Sequence, residues 1–188
     1  MPISYGIIAS QVSGHLVTDL GAMFPIQSYV ATGSSGTITF SSIPATWNHL
    51  QIRGLVHSTR TAGTDAGFTM TVNSDAGANY SYHRLIGDGT SATANGTANA
   101  STFYNDDITA DNGNSSTYTA FVIDILNYAN TNMYKTIRSL HGFDKNGSGQ
   151  IKLLSGSWRN TNAITSMTFV TDNFFKAGSS IALYGVKA

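Results

Sequence analysis

Cysteine and glutamate are both missing from this 188-residue chain, and charge of either sign is scarce. Without cysteine, disulfides, thiolate catalysis and cysteine-ligated zinc are excluded. Charged residues make up 11% of the chain, and the formal net charge is zero. The chain therefore has no general attraction to nucleic acid or to an anionic membrane, and its basic residues form no local run. We expect no nucleic-acid partner and no membrane partner.

The missing glutamate also bears on the fold. Glutamate and lysine usually fill exposed helix faces, whereas Asp, Asn, Ser, Thr and Gly populate turns and solvated strand faces, and this chain is rich in the second set. No segment approaches the roughly 20 apolar residues that span a bilayer, and the start of the chain does not have the pattern of a signal peptide. These features predict a β-rich protein made in a cytoplasm.

Short segments of alternating apolar and polar residues, separated by turn-forming residues, indicate strands. In the segment from His49 to His57, for example, Leu50, Ile52 and Val56 fall on one face. The ten predicted strands are 27–31, 37–41, 49–57, 68–73, 80–86, 118–128, 133–143, 150–159, 164–171 and 180–186. This pattern predicts an all-β, jelly-roll-type antiparallel β-sandwich over residues 26–188, with an up-and-down barrel as the alternative.

Residues 1–25 have a different pattern, because their apolar residues are scattered among glycines without a steady period. We interpret them as an extended N-terminal anchoring arm. Such an arm can add a strand to a neighbouring subunit, where backbone hydrogen bonds provide affinity. The candidate assembly residues are Tyr5, Ile7, Ile8, Val12, Leu16, Val17, Met23 and Phe24.

The segment 90–116 is rich in Ser, Thr, Ala, Asn and Gly, which predicts a long surface loop with one short ordered piece near Phe103. Its aspartates could bind calcium through loop oxygens, but their spacing does not match an EF-hand, and a solvated loop is the simpler interpretation. The candidate ligand residues of this loop are Phe103, Tyr104, Asp106, Asp107 and Asp111.

Asp124 lies inside YTAFVIDILNY, a segment that is otherwise apolar on both faces and is predicted to be a central strand buried from two sides. A carboxylate there must be paired or hydrogen-bonded. We expect a structural ion pair between Asp124 and Arg138, with Lys135 as the other possible partner.

None of the familiar catalytic patterns occurs in the sequence. The chain contains no GxSxG elbow, no phosphate-binding GxxxxGK[ST] loop, and no histidine pair with metal-ligand spacing. The sequence therefore predicts a protein that is not an enzyme, with no cofactor and no metal. A sugar-stacking surface is a further possibility, although most of its candidate residues are better explained as core or subunit contacts: Tyr80, Tyr82, Tyr104, Tyr118, Tyr128, Tyr134 and Trp158.

Several segments together carry a family resemblance. SSIPATWNHLQIRG (41–54), NSDAGANYSYHRLIGDG (73–89), the long segment that begins VIDILNYANTNMYK and ends at Phe169, and the ending SSIALYGVKA resemble structural proteins of tailed-bacteriophage virions. The opening YGIIAS (5–10) is similar to the start of cyanophage structural proteins. The likeness covers residues 26–187 and contains no catalytic motif.

The resemblance implies a virion component of β-sandwich fold, repeated in symmetric oligomers on a head, tail or fibre. We expect a capsid decoration or cement protein at the particle surface, made in the host bacterial cytoplasm. Its expected partners are further copies of itself, in a homotrimer, and the major capsid protein or another virion protein. The alternative is a tail fibre or spike domain that binds host glycans through the 90–116 loop. A depolymerase or lyase is the third hypothesis.

Overall fold

Alternation of buried and exposed side chains organises the chain into two packed β-sheets. This computed structural model describes residues 22–187, and for residues 104–106 it describes the backbone but not the side chains. The described residues contain twelve strands and no helix, and therefore no helix that could cross a membrane. Every strand pairing is antiparallel. The predicted all-β sandwich is therefore confirmed.

The strands follow one another with short connections. Their bounds are β1 Met23–Val30, β2 Thr37–Phe40, β3 His49–Val56, β4 Asp65–Val72, β5 Tyr80–Gly87, β6 Ala92–Ala100, β7 Phe103–Thr109, β8 Thr119–Leu126, β9 Lys135–Asp144, β10 Gly149–Trp158, β11 Met167–Thr171 and β12 Ser180–Val186.

The two sheets differ in size. The large sheet has eight strands in the order β1-β12-β3-β8-β9-β10-β5-β6, and the small sheet has four in the order β2-β11-β4-β7. The chain crosses repeatedly between the sheets, whereas β5–β6 and β9–β10 pair as neighbours and extend the large sheet to one side. Because the small sheet has only half as many strands, it cannot cover the whole large sheet.

The core lies between the sheets and is rich in aromatic rings. The rings of Phe68 and Phe169, both on the small sheet, have centroids 5.8 Å apart. The Phe68 ring also lies 5.4 Å from that of Phe121 on the large sheet. The Phe121 ring lies over Gly54 on the neighbouring strand, where a Cβ atom would come within 2.3 Å of it. A glycine is therefore required at the centre of β3 for this ring to pack.

All ten predicted strands are present, with end points shifted by a few residues. The hairpin between β9 and β10 turns at Asn146 and Gly147, whose φ angles of 61° and 106° are the positive values expected for a tight turn. The main error is the segment 90–116, because strands β6 and β7 occupy most of the predicted loop.

The boundary of the arm also needs correction. Met23 and Phe24 belong to β1 and pair with Val186 and Gly185 of β12. The Phe24 ring stacks on Trp47 with centroids 4.5 Å apart, which fixes the start of the strand to the sandwich. The other predicted arm residues, from Tyr5 to Val17, lie outside the described residues.

Candidate functional site

The large sheet has one face turned away from the small sheet, which we call the outer face. Strand register aligns its side chains into rows that run across the sheet. One row joins Val122, Leu140, Leu153, Leu85 and Ala94 on five successive strands, β8, β9, β10, β5 and β6. Since each of these residues is apolar, the row forms an apolar stripe across the outer face.

The adjacent row is also apolar or small, and it places Ile151 beside the stripe. Four large side chains of these rows, which we call the outer patch, have exposed fractions of 52% for Leu85, 48% for Leu140, 61% for Ile151 and 56% for Leu153. Contiguous exposed apolar side chains of this kind commonly mark a protein-contact surface, whereas scattered ones do not. The outer patch is therefore the best candidate for a functional surface.

A polar row borders the apolar stripe and contains the predicted ion pair. The Arg138 guanidinium lies 3.3 Å from the Asp124 carboxylate, and the Gln51 side-chain amide donates to the same carboxylate at 2.8 Å. Arg53 in turn donates to Gln51 at 2.8 Å. These contacts fix the orientation of the side chains along one border of the apolar stripe.

The surroundings of this ion pair differ from the expectation. Strand β8 is central in its sheet, as predicted, but only alternate residues of it are buried, because the outer face is uncovered. Lys135 points to the opposite face of β9 and is fully buried, so it does not contact Asp124. The expectation of a strand buried from two sides was therefore wrong.

The predicted ligand residues of the 90–116 segment do not form one site. Phe103 is fully buried in the core, and Asp107 lies 3.4 Å from the Lys152 ammonium, whose side chain is buried between the sheets. The side chains of Tyr104 and Asp106 are outside the description. Since this segment is mostly strand, the expectation of a long surface loop was wrong.

Asp111 is held by a partly buried polar network. Its Oδ1 atom lies 2.5 Å from the Lys176 ammonium and 3.1 Å from Nε2 of the fully buried His57. The hydrogen bond from Lys176 is the main cause that lowers the pKa of Asp111, and His57 contributes in the same direction. Nδ1 of His57 lies 2.7 Å from the carbonyl oxygen of Thr117. This network ties the segment after β7 to the β11–β12 connection and leaves Asp111 committed to structural contacts.

The proposed sugar-stacking aromatics are largely core residues. Tyr80, Tyr128 and Trp158 are buried, and Trp158 donates to Asp75 at 2.7 Å, a bond that lowers the pKa of that carboxyl group. Burial raises the pKa of Tyr80 to about 12. Among the candidates whose side chains the structure describes, Tyr134 is the one exposed ring, with an exposed fraction of 57%, and one exposed ring does not make a stacking platform.

Sequence reasoning missed the outer patch, although a signal for it was present. Strand β10 contains the adjacent apolar residues Leu153 and Leu154, and only Leu154 is buried in the core. A strand that is apolar on both faces needs cover on both, and the small sheet supplies cover on one side only. Apolar residues at outward positions were therefore the available clue.

Within residues 22–187, no group of three or more His, Asp or Glu side chains could hold a metal ion. No protein-family model, curated protein or solved structure matches the chain.

Proposed function

We propose that this protein is a non-enzymatic structural component of a tailed-bacteriophage virion, which binds the head surface as a decoration or cement protein. The observation that carries the proposal is the outer patch formed by Leu85, Leu140, Ile151 and Leu153. These side chains are about half exposed and adjacent by register, so a neighbouring protein can cover them together.

The strand order supports this proposal. Strands β1-β12-β3-β8 in one sheet and β2-β11-β4-β7 in the other alternate in the order that we interpret as a jelly roll. The hairpins β5–β6 and β9–β10 are then insertions that widen the large sheet. Jelly rolls are common in capsid proteins, although a fold alone does not define a function. In this interpretation, the insertions supply all four residues of the outer patch.

The energy available from the outer patch is modest for one copy. Full burial of a leucine or isoleucine side chain is worth about 1.5–3 kcal/mol, so covering the exposed half of four such side chains contributes about 4 kcal/mol. Such a contact is weak alone, but linked copies on one particle bind with much higher avidity. A weak contact for each copy is therefore sufficient for a protein that acts in many copies.

The proposal is tested by adding purified protein to phage heads that do not carry it and counting bound copies by electron microscopy. The variant Leu140→Gln/Leu153→Gln should bind at least tenfold more weakly, because about 2 kcal/mol of apolar contact is lost. The control Val170→Gln/Phe174→Gln alters two exposed apolar residues outside the large sheet, one on β11 and one in the β11–β12 connection, and should bind normally.

Normal binding of the Leu140→Gln/Leu153→Gln variant would refute the role of the outer patch. If antibodies raised against the protein do not label purified virions, the virion proposal itself is refuted. The glycan-binding alternative depended on the 90–116 loop, and since that segment is mostly strands β6 and β7, no observation now favours it.

A further inference from the structure

Within the described residues 22–187, the two sheets end in four edge strands, namely β1 and β6 in the large sheet and β2 and β7 in the small sheet. An edge strand presents unpaired backbone N–H and C=O groups that can pair with another chain. Natural proteins usually prevent this pairing with a proline, a charge, a bulge or a very short edge strand. An edge strand that has none of these features is therefore available for pairing with another chain.

Three of the four edges are protected. Strand β1 contains Pro25, which has no backbone N–H, and its register shifts between Pro25 and Gln27. Strand β2 is only four residues long. Strand β7 carries the adjacent aspartates Asp106 and Asp107 in its sequence, and Asp107 is exposed. Like charges repel an identical strand, so β7 does not favour self-pairing.

Strand β6 has none of these devices over most of its length. Its nine residues, ATANGTANA, include no charge and no proline. It pairs with β5 without a register shift from Ala92 to Thr97, so a regular edge of six residues faces outward. The bulge falls beyond this stretch, near Asn99, whose φ angle is 56°.

This strand also contributes almost nothing to the core. Eight of its nine residues are exposed, and Ala, Asn and Gly have low β propensity. A strand with little buried surface and only one hydrogen-bonded neighbour is marginally stable alone. A second strand on its free edge would provide the missing stabilisation.

We propose that β6 pairs in antiparallel fashion with β6 of a second copy of this chain. Self-pairing brings identical residues together, and the residues of β6 itself carry no charge. The nearest charge belongs to Arg84 of β5, whose Nε donates to Asn95 Oδ1 at 2.7 Å. Pairing centred on Asn95 places Thr93 opposite Thr97 on one face and Ala94 opposite Gly96 on the other. The large sheets of the two copies then form one continuous sixteen-stranded sheet.

Pairing of β6 with β6 of the second copy is favoured over pairing of β6 with a different edge strand of that copy. Pro25 interrupts the hydrogen bonds that β1 could offer, and head-to-tail pairing of two different edges produces open chains unless the rotation closes. A two-fold contact closes after two copies. The inference therefore assigns a two-fold contact, whereas the sequence led us to expect a trimer.

The two-fold axis of such a pair is perpendicular to the sheet, so both outer faces point to the same side. Ala94 then faces Gly96 of the second copy, which belongs to that copy's polar row through His83 and Ser155, so the two apolar stripes lie on the same side without joining. The pair thus presents two outer patches to one surface. The biological meaning of this arrangement rests on the proposed function, because it makes the protein bivalent toward the particle.

The first test introduces the protection that β6 does not have. Lysine is a natural edge protector, and Thr93 and Thr97 are both exposed. In sedimentation equilibrium, the full-length wild-type chain should be a dimer, and Thr93→Lys/Thr97→Lys should weaken dimerisation at least tenfold. The control Thr37→Lys/Thr136→Lys adds the same charge at exposed sites on β2 and β9 and should remain dimeric.

The second test uses the absence of cysteine from the chain. Under mild oxidation, Asn95→Cys should form a disulfide-linked dimer, since paired residues in an antiparallel ladder lie within disulfide reach. Thr136→Cys on β9 should remain monomeric on a non-reducing gel. Circular dichroism melting should show that every variant is folded.

Three outcomes would overturn the inference: a wild-type chain that stays monomeric at about 100 μM, a lysine variant that dimerises normally, or cross-linking of Asn95→Cys that is no stronger than that of Thr136→Cys. These measurements use the isolated protein. If the lysine variant dissociates as expected but the wild-type dimer does not bind phage heads, the proposed function is refuted. The edge pairing would still stand.

Discussion

Replacement of Lys135 by methionine tests whether a buried ammonium group holds two connections of the fold together. The Lys135 side chain is fully buried, and its Nζ donates to the carbonyl oxygens of Asn130 at 2.5 Å, Met133 at 2.9 Å and Thr161 at 3.0 Å. The first two carbonyls belong to the β8–β9 connection and the third to the β10–β11 connection. Methionine keeps the length of the side chain but donates no hydrogen bond.

The expected cost follows from these contacts. A hydrogen bond from a charged donor is worth about 1.5–3 kcal/mol, but the cost of desolvating the ammonium offsets part of the sum over three bonds. Removing the ammonium leaves three carbonyl oxygens without this donor, at about 1–3 kcal/mol for each one that stays buried, so after the relieved desolvation of Lys135 we expect a cost of about 3–5 kcal/mol. In a chain of this size, 1 kcal/mol corresponds to about 2–4 °C in Tm, so Lys135→Met should lower Tm by roughly 6–20 °C.

The assay is thermal unfolding followed by circular dichroism, together with urea unfolding at 25 °C. The control is Lys187→Met, because Lys187 is exposed and lies 5.2 Å from the Phe24 ring, a contact worth about 0.5–1 kcal/mol at most. A loss of less than 2 °C for Lys135→Met would refute the argument, since it would mean that water or other groups satisfy the three carbonyls equally well.

Three other substitutions or conditions test the remaining networks. Because contacts with Lys176 lower the pKa of Asp111, the stability that this carboxylate contributes is present above its unfolded pKa of about 3.9 and is lost as pH falls through the folded value. Between pH 7 and pH 3, the free energy of unfolding measured in urea should fall less for Asp111→Asn than for the wild-type protein. Tyr80→Phe should cost about 1–3 kcal/mol in urea unfolding, because its hydroxyl accepts from the Val72 N–H at 3.0 Å in the core. Gly185→Ala should lower Tm by several degrees, because an added Cβ would lie 2.2 Å from the Trp47 indole ring, which packs on this glycine.

The sandwich was predictable because burial leaves a period-two pattern in the sequence. Leu50, Ile52 and Val56 are fully buried, and their alternation identified β3. Asp124 and Arg138 were also predictable as a pair, since a carboxylate in an apolar strand needs a partner and the next strand offers a cation. Both inferences depend on neighbours within one strand or between consecutive strands.

Strand β6 could not be found in the same way, because it buries almost no side chain and so carries no apolar period. Its backbone pairs with β5, and pairing of that kind leaves no mark in the order of side chains. The outer patch depends on the position of each strand in the sheet and on which face is covered. Leu153 and Leu154 are chemically identical, and only the position of the small sheet separates the buried one from the exposed one.

The placement of lysine connects the chain's low charge with its exposed surfaces. All five lysines lie within the described residues. The side chains of Lys135 and Lys152 are buried, Lys145 and Lys176 make ion pairs with Asp65 and Asp111, and Lys187 is exposed. Lysine is normally the residue that keeps sheet edges and apolar surfaces from associating, and it is depleted in protein interfaces. When most lysines are used inside the fold, the outer patch and the β6 edge have no such protection, which favours their being covered by neighbouring subunits.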